Sequence, residues 1–114
     1  MHEASIIMGV LETVTRQCQR EGYKKINSIR LRIGKAASIL PDCLYFAFDA
    51  AKINTLAHDA KLLIETVPLG GACNSCSYEF EVKNYIFNCP SCLSTDINVS
   101  QGFDMEIVDM DVDD

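Results

Sequence analysis

The sequence predicts an α+β fold in which a small three-stranded sheet is covered by two helices and a cysteine-rich ribbon module projects from one end. Three observations lead to this prediction. Two segments carry apolar residues at helical spacing, three segments have the composition of strands, and four cysteines form two Cys-x-x-Cys pairs. The 114 residues are enough for one compact domain and a small additional module.

The first predicted element is a helix from Ala4 to Arg20. Its apolar residues recur every three or four positions and form one stripe: Ile6, Ile7, Val10, Leu11, Val14 and Cys18. Gly22 is placed to end the helix after Glu21. The helix therefore starts almost at the first residue.

Two strands and a second helix follow. Lys25–Gly34 alternates apolar with polar residues and predicts a strand with one buried face and one basic face. Pro41 suits the first position of a helix, and apolar residues follow it at helical spacing up to Ala51. The apolar run Lys61–Val67 predicts the second strand.

The third strand of this sheet is expected near the end of the chain, at Met105–Val112. Between the second and third strands, Pro68–Gly71 resembles a linker, and Ile97–Val99 has some strand character. The predicted division is an α/β domain of residues 1–68 and 96–114 and a ribbon module of residues 69–95.

The four cysteines of the ribbon have the spacing of a metal site. Cys73-Asn-Ser-Cys76 and Cys89-Pro-Ser-Cys92 are separated by twelve residues. Two such turns supply the four corners of a tetrahedron, which is the thiolate geometry that zinc prefers. Because four thiolates leave no open position for substrate, the zinc would be structural. An iron site of the rubredoxin type and a redox dithiol pair are the alternatives.

Short segments should connect the two Cys-x-x-Cys turns. Tyr78, Phe80 and Val82 alternate with glutamates, which predicts a strand leading away from the first turn. Tyr85–Phe87 is the expected return segment.

Charge and hydropathy exclude several classes of function. The net charge is −6, and the ribbon contains two glutamates and a single lysine between its outer cysteines, so it lacks the basic patch of a nucleic-acid-binding ribbon. No apolar run is long enough to span a bilayer, and the first residues lack the positive charges of a signal peptide. We therefore expect a cytoplasmic protein without nucleic-acid or membrane partners, in which Cys18 and Cys43 are buried, reduced thiols.

Met1-His2-Glu3 is a second candidate metal site. The terminal amine of Met1, the amide nitrogen of His2 and its imidazole can form adjacent chelate rings, and Glu3 can add a further donor. Such nitrogen-rich, near-planar donor sets suit Ni(II) or Cu(II). The alternative is that His2 is simply an exposed terminal residue.

Several motifs together resemble the HypA/HybF family of nickel-insertion accessory proteins for [NiFe] hydrogenase. They are Met1-His2-Glu3, Leu31-Arg32-Ile33-Gly34, Phe46-Ala47-Phe48-Asp49 and the two Cys-x-x-Cys pairs. The resemblance covers nearly the whole chain. It implies a non-catalytic nickel metallochaperone that binds nickel as cargo through His2, Glu3 and Met1 and structural zinc through the four cysteines.

The resemblance also implies partners: a hydrogenase-maturation GTPase, the hydrogenase large subunit and, as in some relatives, a urease accessory protein. An acidic side chain near the start of the second helix lies close to nickel in some family members, and Asp42 is the nearest candidate here. His58 is expected to be a surface residue. Two other functions remain open, a zinc-ribbon adaptor without transferable metal and a small redox or iron protein.

Overall fold

The computed structural model describes residues 3–37 and 39–114. Within them the chain forms two α-helices, one short 3-10 helix and six strands. In chain order these are α1 (Glu3–Glu21), β1 (Lys25–Gly34), the 3-10 helix (Lys35–Ala37), α2 (Pro41–Ala51), β2 (Lys61–Val67), β3 (Gly70–Cys73), β4 (Glu79–Glu81), β5 (Ile97–Gln101) and β6 (Met105–Asp113).

The predicted stripe of α1 is its buried face. All six of its predicted apolar residues are buried, from Ile6 to Cys18. Gly22 adopts a left-handed conformation, with φ of 79°, just after the helix ends. The Tyr23 N–H then donates to the Cys18 carbonyl at 2.9 Å, which satisfies one of the last helical acceptors.

The first sheet has the strand order β2-β1-β6, so the end of the chain does return as the third strand, as predicted. Its central strand β1 buries Ile26, Ile29, Leu31 and Ile33. On the helical side, Leu44 and Phe48 of α2 are also buried. The Cys18 thiol lies 3.9 Å from the Met110 sulfur, which brings α1 against β6. The predicted α+β class, with two helices and a three-stranded sheet beside a four-cysteine unit, is confirmed.

The opposite face of β1 is not the free basic surface that its sequence suggests. Arg32 donates to Glu106 of β6 at 2.9 Å and to Glu65 of β2 at 3.3 Å. Arg30 lies 3.7 Å from both Glu65 and Asp109. The hydrogen bonds that Arg32 donates to the carboxylates of Glu106 and Glu65 raise the pKa of Arg32 above its usual value. Three carboxylates therefore neutralise the two arginines across the sheet.

A second sheet has the strand order β4-β3-β5, and its central strand was predicted to be a linker. Gly71 pairs with Phe80 on one side and Val99 on the other. A Cβ on Gly71 would lie 2.9 Å from the Cγ2 of Ile97, so the glycine permits a close approach. The two glycines therefore indicate a tightly packed central strand rather than a linker.

The return segment Tyr85–Phe87 forms no strand. A turn leads into it, in which Asn84 and Tyr85 both have positive φ, and β4 pairs with β3 instead. Residues 97–101 also pair with β3, in the same sheet as β4. The predicted domain division, with residues 96–114 assigned to the α/β domain, stays a prediction.

The chain divides into two compact units. The first runs up to Arg32 and includes Ile39–Glu65 and Glu106–Asp114. The second includes the stretch from Ile33 to Ala37 and Thr66–Met105. Among the described helices, neither has the length and apolar character needed to cross a membrane.

Candidate metal centre

The second unit brings the four predicted cysteines together. Their sulfur atoms all lie within 4.8 Å of one another. The Cys73 and Cys92 sulfurs are 3.5 Å apart, and so are those of Cys76 and Cys89. In the part of the chain that the structure describes, no other group of three or more His, Cys, Asp or Glu side chains is close enough to hold a metal.

Both Cys-x-x-Cys segments form the same turn. The Ser77 N–H donates to the Cys73 carbonyl at 2.9 Å, and the Leu93 N–H donates to the Cys89 carbonyl at 2.8 Å. Ser77 and Leu93 each have φ of 66°, the left-handed conformation that glycine adopts most easily. Two equivalent turns therefore present two sulfurs each to the same point.

The first cysteine of each turn is held by backbone donors. The Cys73 sulfur accepts the N–H groups of Ser75 at 3.3 Å and Cys76 at 3.4 Å. In the second turn, the Cys89 sulfur accepts two N–H groups at 3.4 Å, those of Ser91 and Cys92. Such bonds stabilise a thiolate, which is the form that binds a metal.

These contacts also shift the titration of the thiols. Burial raises the pKa of Cys73, but the N–H groups of Cys76 and Ser75 and the neighbouring thiols outweigh it and lower the pKa to about 6. The Tyr78 N–H lowers the pKa of Cys76, but hydrogen bonding to Cys89, burial and the remaining thiols raise it to about 12.

A polar bridge joins the two turns, and no feature of the cysteine spacing indicated it. The Asn74 N–H donates to the Asp96 carbonyl at 2.9 Å, and the Asn74 amide donates to the Asp96 carboxylate at 3.0 Å. The Ser75 and Ser94 hydroxyls are 3.1 Å apart. The residues between and after the cysteines therefore fix the distance between the turns.

The arrangement fits zinc on the chemistry of its donors. Four sulfurs at the corners of one cluster match the tetrahedral, thiolate-rich sites in which zinc has a structural role. Cys73 and Cys89 are buried, whereas Cys76 and Cys92 are exposed.

The other cysteines divide in the same way. Cys18 is buried, as predicted, and its burial raises the pKa of its thiol. Cys43 is exposed, so the prediction that it is buried is wrong. Its position in α2 lies on the side away from Leu44 and Phe48, which occupy the buried face.

The N-terminal candidate lies largely outside the described residues. Met1 and His2 fall there, and Glu3 is the half-buried first residue of α1. Asp42 is exposed in the first turn of α2. His58 is an exposed residue whose Nδ1 lies 3.3 Å from the Asp59 carboxylate, which confirms its predicted place at the surface.

Comparison with known proteins gives the family. Residues 1–112 match the model of the HypA family, described as hydrogenase/urease nickel incorporation metallochaperones. A hydrogenase maturation factor HypA from Chlorobium luteolum is 39% identical over 99% of this chain and 97% of its own length. The corresponding factor from Desulfitobacterium hafniense is 36% identical, covering 99% of each chain.

The fold has also been seen before. The solution structure of the Ni metallochaperone HypA from Helicobacter pylori superposes with a TM-score of 0.69 at 22% identity, covering 99% of this chain and 98% of that one. The match of the family model and the identity to the curated relatives both span nearly the whole chain. The chain therefore belongs to the HypA family of nickel incorporation metallochaperones.

Proposed function

We propose that this metallochaperone carries nickel on its first residues and uses zinc only to hold its second unit together. The observation that carries the proposal is the match to the nickel incorporation family over residues 1–112. The clustering of four cysteine sulfurs within 4.8 Å supports the separate role of zinc.

Nickel would bind through the amine of Met1, the imidazole and amide nitrogen of His2, and Glu3. Nitrogen-rich donor sets of this kind suit Ni(II). Because the amine and the amide must lose protons on binding, nickel affinity should fall as the pH falls. A site with few side-chain donors also releases its metal more readily than a closed cage of four thiolates.

Zinc would bind Cys73, Cys76, Cys89 and Cys92 and take no part in chemistry. All four positions of a tetrahedral ion would be filled by protein sulfur, so no position remains for water or substrate. The proposed role of the chain is therefore delivery rather than catalysis.

Delivery requires partners. We infer a hydrogenase-maturation GTPase and the hydrogenase large subunit as partners, with a urease accessory protein as a further one. The description of the family, which names both hydrogenase and urease, supports the hydrogenase and urease partners. The GTPase is inferred from the resemblance of the motifs alone. The zinc-ribbon adaptor without transferable metal is not favoured, because the whole chain matches nickel incorporation proteins.

A nickel titration tests the site. Zinc-loaded, tag-free protein with its native Met1 is titrated with Ni(II), beside His2→Ala and His58→Ala. His58 is the matched control, since it is the other histidine and is exposed at the surface. We expect one tight site in the native chain and in His58→Ala, and its loss in His2→Ala with zinc retained. Equal nickel binding by His2→Ala would remove the site from the N-terminus.

A further inference from the structure

The four metal ligands differ from one another in a way that the cysteine motif does not reveal. In each turn the first cysteine is buried and the second is exposed: the relative exposure is 2% for Cys73 and 0% for Cys89, while Cys76 and Cys92 face solvent. The second cysteine of each turn is therefore more accessible to a reagent in solution than the first.

Hydrogen bonding follows the same division. Each buried sulfur accepts two backbone N–H groups, as described above. The exposed sulfurs have one backbone donor each, from Tyr78 for Cys76 and from Ser94 for Cys92. N–H donors draw electron density from a sulfur, so between two zinc-bound thiolates the one with fewer donors is the stronger nucleophile.

From this asymmetry we propose that Cys76 and Cys92 are the sites at which electrophiles and oxidants modify the chain and open its metal centre. The proposal rests on the proposed zinc site. With a maleimide, the exposed thiolate forms a new S–C bond at the alkene carbon, and the neighbouring carbon takes a proton from water. The alkylated sulfur has then lost its charge and no longer serves as a ligand.

Peroxide should produce crossed disulfides. The Cys76 thiolate attacks hydrogen peroxide, so that an S–O bond forms, the O–O bond breaks and hydroxide leaves. The Cys89 thiolate, whose sulfur is 3.5 Å away, then attacks the oxidised sulfur and displaces a second hydroxide. The same two steps join Cys92 to Cys73, also 3.5 Å apart. Two thiolates are oxidised for each peroxide reduced, and the zinc ion is released.

The test uses the full zinc-loaded chain, whose zinc content is measured first. Limiting N-ethylmaleimide is added, zinc release is followed with a coloured chelator, and the labelled cysteines are identified by peptide mass spectrometry. Cys43→Ser removes the exposed thiol outside the cluster and serves as the background. We expect Cys76 and Cys92 to be labelled at least about tenfold faster than Cys73 and Cys89, in step with zinc release.

Equal labelling of all four cysteines in zinc-loaded protein would overturn the proposal while leaving the zinc site in place. A chain that holds no zinc when isolated would overturn both. After peroxide treatment, disulfides joining Cys73 to Cys92 and Cys76 to Cys89 support the proposal. Disulfides within each Cys-x-x-Cys turn would contradict the predicted second step.

Discussion

The two units of this protein have very different interiors. The first unit contains most of the buried apolar residues of the chain, including the whole stripe of α1, the core of β1 and Phe48 of α2. The buried hydrophobic residues of the second unit are Ile33, Leu69, Val82 and two of the four clustered cysteines. A unit with so small a core needs a metal to supply the missing folding free energy.

This difference indicates that the two units are stabilised in different ways, and that the proposed nickel site belongs to the unit that does not depend on zinc. The first unit can keep its fold through apolar burial, and its helix α1 starts at Glu3, the last of the residues proposed to bind nickel. The second unit depends on its cysteine cluster. Loss of zinc should therefore unfold the second unit without unfolding the first.

The largest expected effect comes from removing a buried ligand. Cys89→Ser replaces a fully buried sulfur that accepts two N–H groups. We expect loss of zinc and of amide protection throughout the second unit in hydrogen exchange, while α1 and the first sheet keep theirs. Cys43→Ser, at an exposed cysteine outside the cluster, should change neither. Simultaneous loss of protection in both units would show that they are not independent.

Acidification should distinguish the units in the same way. The depressed pKa of Cys73, about 6 against the usual 9.0, means that its thiolate is the main form at neutral pH. The contribution of the Cys73 thiolate to the stability of the second unit is therefore fully present above pH 9 and is lost as the pH falls through about 6. We expect zinc release to become steep below that pH, because protons then compete with the metal for the Cys73 sulfur. Zinc release and the helical circular dichroism signal, measured across the same pH range, should separate, with the helical signal lost only at lower pH.

Phe48→Ala tests the first unit. Phe48 is 1% exposed and is the largest of the fully buried side chains. Its truncation should cost about 3–5 kcal/mol of unfolding free energy by leaving a cavity under α2. Denaturant unfolding followed by circular dichroism measures this loss. Zinc content should stay at the native level, and a parallel loss of zinc would contradict the separation of the two units.

The smallest effect is expected on the open face of the first sheet. Arg32 bridges Glu106 and Glu65, but all three side chains are about half exposed to solvent. Exposed ion pairs contribute little because water and salt screen them, so Arg32→Met should shift the melting temperature by about 2 °C or less. A much larger shift would show that the ion pairs of Arg32 contribute substantially to the stability of the sheet.

Sequence patterns predicted the first unit more completely than the second. The buried face of α1, the limits of β1, α2 and β2, and the return of β6 all follow from apolar periodicity, which core packing enforces. The strand β3 could not be found in this way. Its Gly-Gly pair has no side chains to form a pattern. Its place depends on pairing with Phe80 and on the close approach of Ile97 from a later part of the chain.

The metal cluster shows the same limit. Cysteine spacing predicted which four side chains meet, because the turn geometry is local. It could not predict that Cys73 and Cys89 are buried while Cys76 and Cys92 are exposed, nor the bridge between Asn74 and Asp96. Those features depend on how residues after the second turn pack against the first.

The central claim is that the chain carries nickel as a releasable cargo and holds zinc as a structural metal. The most direct test of it is a metal-release experiment followed by native mass spectrometry. Protein loaded with one Zn(II) and one Ni(II) is exposed to increasing amounts of a mild chelator, and both metals are counted in each molecule. We predict that nickel leaves first, giving a folded chain that still holds zinc. Release of both metals together, or displacement of zinc by nickel from the four cysteines, would contradict the account.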